Sequence, residues 1–301
     1  MRTHTFLPFT LMSVCAATLI VGNVVLRAEE KQPATEATAA PAKLTKQEQA
    51  EVDRAVDSWK QATKKIERYE CSYTRWFYDS VYLPPKAPGQ EQKSWIVAHG
   101  EFKYAAPDKW SHKETALWTW EIDRPTQQLK PVKKDHGEHW ARDGNTIYQV
   151  DDGRQVVEKT LIPPKAELGQ GWLGGLADAL IVPPRIFGVS TDYFQEGYDV
   201  RIITPKDTKE EIWLESVPRR KGRTAPFEKA EVILRKKDML PSAIRISTSA
   251  YCSEVYEFEN PECNDQVKPF GPDTFAPNPN GYKVVEPPGL FVFPKDQDAK
   301  P

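Results

Sequence analysis

The sequence predicts a mainly β protein of the α+β class: about eleven antiparallel strands curled into an unclosed barrel, with an N-terminal amphipathic helix and a short helical lid. Three observations predict it. Residues 100–152 form an aromatic meander whose runs GEFKYAAPDKW, KWSHKETALWTW and HWARDGNTIYQVDDG are broken by Pro-Asp and Asp-Gly turns. Residues 198–259 repeat that pattern as five alternating segments with short turns between them. One long helical period, residues 45–69, stands immediately before the first strand. Consecutive strands joined by short turns make an antiparallel meander. Twist accumulates over so many strands and curls the sheet.

The chain has 301 residues and a formal net charge of -2, so it lacks the basic excess of a nucleic-acid binder. Its N-terminus, an apolar run at residues 6–26 after Arg2, reads as an export signal ending at Ala28. Left uncleaved, the run is long enough for a single membrane anchor. Cys15 lies inside the run with apolar residues on both sides, which argues against lipid modification there. Residues 29–43 have linker composition, residues 44–285 form the half-barrel domain, and residues 286–301 are a Pro-rich tail.

Within the domain, Thr45 and Glu48 have capping-box spacing, and Val52, Val56, Trp59, Ala62, Ile66 and Tyr69 make one apolar stripe. Such a helix must lie on an apolar surface, and a sheet follows at once. The first strand is CSYTRWFYDSVYL (71–83), followed by a Pro/Gly loop, a strand at 94–105 and its hairpin partner at 109–120. Residues 124–135 read as a polar loop, and residues 138–161 as three short strands. Alternation then stops. Residues 162–189 hold two Pro-Pro pairs around WLGGLADALIV, in which Leu173, Leu176 and Leu180 have helical spacing. Flanking prolines and glycines make this a short apolar lid. Beyond residue 264, Phe275, Val284 and Val285 are placed to pack back on the barrel.

No catalytic fingerprint emerges. His136, Glu138 and His139 in DHGEHW lack helical His spacing and a neighbouring Cys pair, so they read as a solvated loop. His99 and His112 are placed across one hairpin as a structural pair. The Asp-Gly turns lack the remaining calcium-ligand spacing. There is no nucleophile elbow and no phosphate-binding loop. Arg219, Arg220, Lys221 and Arg223 form a solvated basic turn, or a contact for acidic partners or lipid headgroups. No cofactor and no metal is expected. With Cys15 removed, Cys71, Cys252 and Cys263 remain. An exported compartment permits a disulfide. Cys252 with Cys263 is the local pairing, and Cys71 with Cys252 or no bridge at all are the alternatives.

Four stretches together resemble the bacterial lipoprotein-carrier (LolA-like) fold family, and within it an exported planctomycete-type subfamily. They are the export signal followed by an amphipathic helix, GEFKYAAPDKW, ARDGNTIYQVD, and VILRKKDMLPSAIRISTSAYCSEVYEFEN with its Leu-Pro turn. The resemblance covers about residues 43–282. It implies an unclosed barrel with a helical lid over a hydrophobic cavity. It also implies a periplasmic or envelope carrier that is not an enzyme.

These readings converge on an exported protein, expected to be monomeric, that holds a lipid or a lipoprotein acyl chain. An envelope donor or acceptor protein would be its partner. The expected lining is Phe102, Tyr104, Trp118, Trp120, Tyr148, Ile244, Ile246, Tyr256 and Phe258 from the wall, and Trp172, Leu173, Leu176 and Leu180 from the lid. A barrel of this strand number is wider than its own side chains easily fill. The alternative is a cell-envelope interaction module whose core is filled by those same aromatics.

Overall fold

A computed structural model describes residues 43–81, 93–162, 197–219 and 227–286. The export signal, most of the linker, the lid with Trp172, Leu173, Leu176 and Leu180, most of the basic turn and the tail lie outside the described residues.

Helix α1 spans Lys46–Lys64. The Thr45 hydroxyl accepts from the Glu48 amide at 3.2 Å, and the Glu48 carboxylate accepts from the Thr45 amide at 2.7 Å. Both ends of the capping box satisfy amides that the first helical turn leaves open. Val52, Ala55, Val56 and Trp59 are its buried stripe. The helix stops before the expected Tyr69, because Tyr69 already belongs to the first strand and points to the same core. Thr45→Ala should lower stability by about 1 kcal/mol, read as an earlier thermal unfolding midpoint with unchanged helix content at low temperature.

Among the described residues thirteen strands form one sheet. In chain order they are β1 (Arg68–Asp79), β2 (Ile96–Ala105), β3 (Lys109–Asp123), β4 (Gln128–Lys134), β5 (His139–Asp143), β6 (Thr146–Asp151), β7 (Val156–Leu161), β8 (Tyr198–Ile202), β9 (Glu211–Pro218), β10 (Lys229–Arg235), β11 (Pro241–Ser247), β12 (Cys252–Cys263) and β13 (Lys283–Val285). The spatial order is β13-β7-β6-β5-β3-β2-β1-β12-β11-β10-β9-β8, with β4 beside β3. Among the described residues β8 and β13 do not pair, so the sheet is unclosed. Two strands exceed the expected eleven. β4 occupies the stretch read as a polar loop. Its Pro131 cannot donate to a second neighbour, and β4 is accordingly an edge strand that pairs only with β3. β13 is three residues long and runs parallel to β7.

Antiparallel partners share a face, so the register fixes which side chains sit together. On the helix side lie Tyr69, Cys71, Tyr73, Phe102, Tyr104, Trp110, Ile244, Tyr256 and Phe258, packed with Val52, Val56 and Trp59 of α1 in one core. A second, smaller core of Ala141, Tyr148, Val150 and Val157 lies on the opposite face and is covered by Ala276 and Tyr282. Phe275 is buried beside that covering segment, and Val284 and Val285 pair in β13.

One residue of β3 redirects the pattern. Gly100 faces Glu114 while His99 faces Ala116, so Thr115 is an extra residue, a β-bulge. Before it, the even-numbered Trp110, His112 and Glu114 point to the helix side. After it, Trp118 and Trp120 point to the other. His99 and His112 consequently do not oppose each other: His99 faces Ala116, and His112 faces Phe102.

The expected Cys252–Cys263 bridge is not formed, and Cys71, Cys252 and Cys263 are all thiols. Cys252 and Cys263 begin and end the same twelve-residue strand. At about 3.3 Å per residue its ends stand more than ~30 Å apart, far beyond disulfide reach. Cys71 is in the helix-side core, where burial pushes its thiol up to about 12. Among the described residues no helix is long and apolar enough to cross a membrane.

Candidate functional site

The two faces of the central strands carry different chemistry. On the helix side, the core ends in a buried polar cluster. Arg75 is 4% exposed. Its guanidinium lies 2.6 Å from the Glu114 carboxylate, 3.4 Å from Glu138 and 4.0 Å from Glu254. The Glu114 carboxylate also accepts from the Glu138 amide at 2.8 Å, and Gly137 lies against its side chain. The DHGEHW segment is thus anchored where β3 changes partner from β4 to β5. The Tyr256 hydroxyl donates to Glu254 at 2.9 Å. Tyr73 stacks on His112, with ring centroids 4.8 Å apart. Neither ring nitrogen of the fully buried His112 has a hydrogen-bond partner.

Burial sets the charges here. It pushes Glu114 up to about 7, against the pull of Arg75 and the Glu138 amide. It also opposes the charge on Arg75, but Glu138, Tyr256, Glu114 and Glu254 outweigh it and hold the guanidinium protonated. His112 is held neutral by burial first and Arg75 second, and burial together with Lys113 pulls His139 down to about 4. Among the described residues no group of three or more His, Cys, Asp or Glu side chains could hold a metal ion.

The opposite face carries an open cleft of about 610 Å³. Trp76, Tyr78, Trp95, Val97, His99, Trp118, Trp120 and Pro131 form most of its wall, with Lys93, Ser94 and Thr119 completing it. Register explains the grouping. Trp76, Val97 and Trp118 are directly opposed across β1, β2 and β3, and Trp120 opposes Pro131. The Trp120 indole donates to the Ser94 carbonyl at 2.8 Å, and His99 meets Trp118 edge to face at 5.4 Å. His99 is held from below by Thr74 at 2.9 Å.

The residues expected to line one cavity are therefore divided. Phe102, Tyr104, Ile244, Tyr256 and Phe258 are buried against α1, with Ile246 half-buried beside them. Trp118 and Trp120 stand in the cleft on the other face, and Tyr148 lies in the second core, its hydroxyl donating to Asp143 at 2.7 Å.

No family model matches the chain, and no curated protein matches it. Solved structures do. An uncharacterized conserved protein from Thermus thermophilus aligns at 7% identity over 78% of this chain and 99% of its own, with a TM-score of 0.44. A LolA superfamily protein from Nitrosomonas europaea aligns at 8% identity over 71% and 94%, TM-score 0.32. The Mycobacterium tuberculosis lipoprotein LppX aligns at 10% identity over 73% and 98%, TM-score 0.36. Among the described residues the sheet is unclosed and mainly antiparallel, with α1 laid on one face. In this sheet, Trp76, Trp95 and Val97 had no part in the expected lining. β1 is aromatic on both faces, so alternation alone does not single out Trp76, and Val97 lies on the face of β2 opposite Phe102 and Tyr104. The Arg75 cluster was equally hidden, since its members come from four separate segments of the chain.

Proposed function

We propose that the chain is an exported, non-enzymatic binding or carrier protein that holds a lipid or lipoprotein acyl chain, and that the tryptophan cleft is where the chain lies. The cleft carries this reading. Its volume falls within the range of about 300–1,000 Å³ usual for small-ligand sites. Its wall is aromatic and aliphatic, with no carboxylate or thiol among the lining residues, which suits burial of an apolar group better than bond chemistry. Each methylene taken from water into such a wall contributes about 0.8 kcal/mol. The export segment, residues 1–28, and the linker to residue 43 would put the half-barrel of residues 44–285 outside the cytoplasm, where an envelope donor or acceptor could load it.

A second reading, an envelope interaction module with a filled core, is favoured by one observation. The helix-side face is packed by its own Phe102, Tyr104, Tyr256 and Phe258 against α1. Native mass spectrometry of the secreted chain separates the two: bound lipid in the purified protein is expected for a carrier. Trp118→Ala should weaken uptake of an added twelve-carbon chain by roughly ten-fold, equal to about 1.4 kcal/mol. Protein that is lipid-free from every source and unresponsive to added chains would leave the interaction module standing.

A further inference from the structure

We infer that the cleft selects an anionic amphiphile, a long apolar chain ending in a phosphate or carboxylate; this rests on the reading of the cleft as the ligand site. The argument begins with the lysines of β4. Lys130, Lys133 and Lys134 follow the alternation of an edge strand, and the register sends them to different faces. Lys130 opposes Glu121, and Lys134 opposes Leu117, both on the helix side. There each is neutralised from β3: Lys130 by Asp123 at 2.7 Å, and Lys134 by Glu121.

Lys133 opposes Trp118 on the cleft side. Its ammonium lies over the Trp118 ring, 5.7 Å from the centroid. Lys93 is placed in the same manner over Trp120, at 5.2 Å. Among the described residues neither lysine forms an ion pair, and none of the cleft's lining residues is acidic. Both lysines are exposed, and their ammonium groups rest over the indoles of two cleft tryptophans. A cation so placed is attracted by the ring quadrupole at one side and keeps hydrogen-bond donors for a ligand at the other.

The two covered indoles are two residues apart on one face of β3, about 7 Å along the strand. Trp118 is the β3 end of the row Trp76–Val97–Trp118, which runs away across β2 and β1, and Trp120 lies beside it. An oxyanion set between the two ammonium groups would leave its chain lying along that row. A neutral chain gains only the wall, and a cationic head meets repulsion from both lysines. The head is the discriminating part, and the chain supplies the bulk of the affinity.

The test compares three twelve-carbon ligands on the full secreted chain, below their micelle concentrations, by isothermal titration: dodecyl phosphate, dodecanol and dodecyltrimethylammonium. Dodecanoate, run as a fourth arm, separates a free acid from a phosphorylated lipid as the natural source. The phosphate is expected to bind at least ten-fold more tightly than dodecanol, and the ammonium more weakly still. The double variant Lys93→Gln, Lys133→Gln should bring phosphate and dodecanol to within two-fold of each other, with the loss falling at least five-fold more heavily on the phosphate than on dodecanol. Lys93 and Lys133 are exposed, so folding is expected to be retained, and an unchanged thermal unfolding midpoint verifies it. Equal affinity of the anionic and cationic chains would overturn the selectivity and leave the apolar cleft intact. Failure of every chain to bind would overturn both.

Discussion

Arg75→Met is expected to destabilise the protein by about 3–5 kcal/mol at pH 8 and by roughly 1 kcal/mol less at pH 5. Removing one partner of a buried ion pair leaves the other charge without compensation, and that is the costly event. At pH 8 the charge left behind is Glu114, whose carboxylate touches Arg75 at 2.6 Å in a site closed to water. At pH 5 the same carboxyl is protonated. The direction follows from its affinity for protons, raised from the ordinary 4.5 to about 7 on folding, chiefly by burial. The folded state thus binds that proton more tightly than the unfolded chain. Stability from this group is complete below about 4.5 and is lost as pH rises through about 7. Methionine removes the nearby cation and raises the group further, so the variant loses over a wider range and the difference from wild type grows with pH. Urea unfolding of both proteins at the two pH values measures it. An equal penalty at pH 5 and pH 8 would show that packing, and not the Glu114 charge, sets the cost.

Gly100→Ala should cost on the order of 1–3 kcal/mol, at the upper end of that range, through overpacking. Gly100 lies opposite both Tyr73 and Glu114. An added methyl would run into the Tyr73 ring and hydroxyl and come within 2.5 Å of the Lys113 carbonyl oxygen. The backbone oxygen cannot turn away. Tyr73 has no room to do so, being 2% exposed, stacked on His112 and set against Tyr256. In a Tyr73→Leu background the same methyl should cost less, so a double-mutant cycle reads the coupling directly. A Gly100→Ala protein as stable as wild type, or a cycle with no coupling, would remove Tyr73 as the reason for the glycine.

What could be read from the amino-acid order follows its range. The Thr45–Glu48 cap and the Val52–Val56–Trp59 stripe are local, and both are present as expected. The meander was legible because turn residues punctuate alternating runs. The face of Trp118 and Trp120 was not, because one extra residue at Thr115 reverses parity for the rest of β3. Tyr148 faces away from Phe102 for a related reason, since it opposes Ala141, which in turn opposes Ser111 and not His112. Pro131 and three lysines disguised β4 as a loop. The Arg75–Glu114–Glu254 cluster depends on β1, β3 and β12 becoming neighbours, which no local pattern announces. The carboxylates in those strands read only as the polar half of an alternation.

The pairing of β1 with β12 has a consequence for the order of assembly. The Glu67 amide is held at 2.8 Å by the Asn264 side chain, 197 positions away, and the two strands between those points form the middle of the sheet. During synthesis β1 emerges among the first elements and must keep one flank unfilled until nearly all of the domain has followed. Closing so large a loop is paid in entropy before any of its contacts form, which places the chain among slow folders. The meanders on either side, β1 to β3 and β8 to β11, can form from neighbours alone. Until β12 arrives, each presents a bare strand edge, the surface most apt to recruit a second nascent chain.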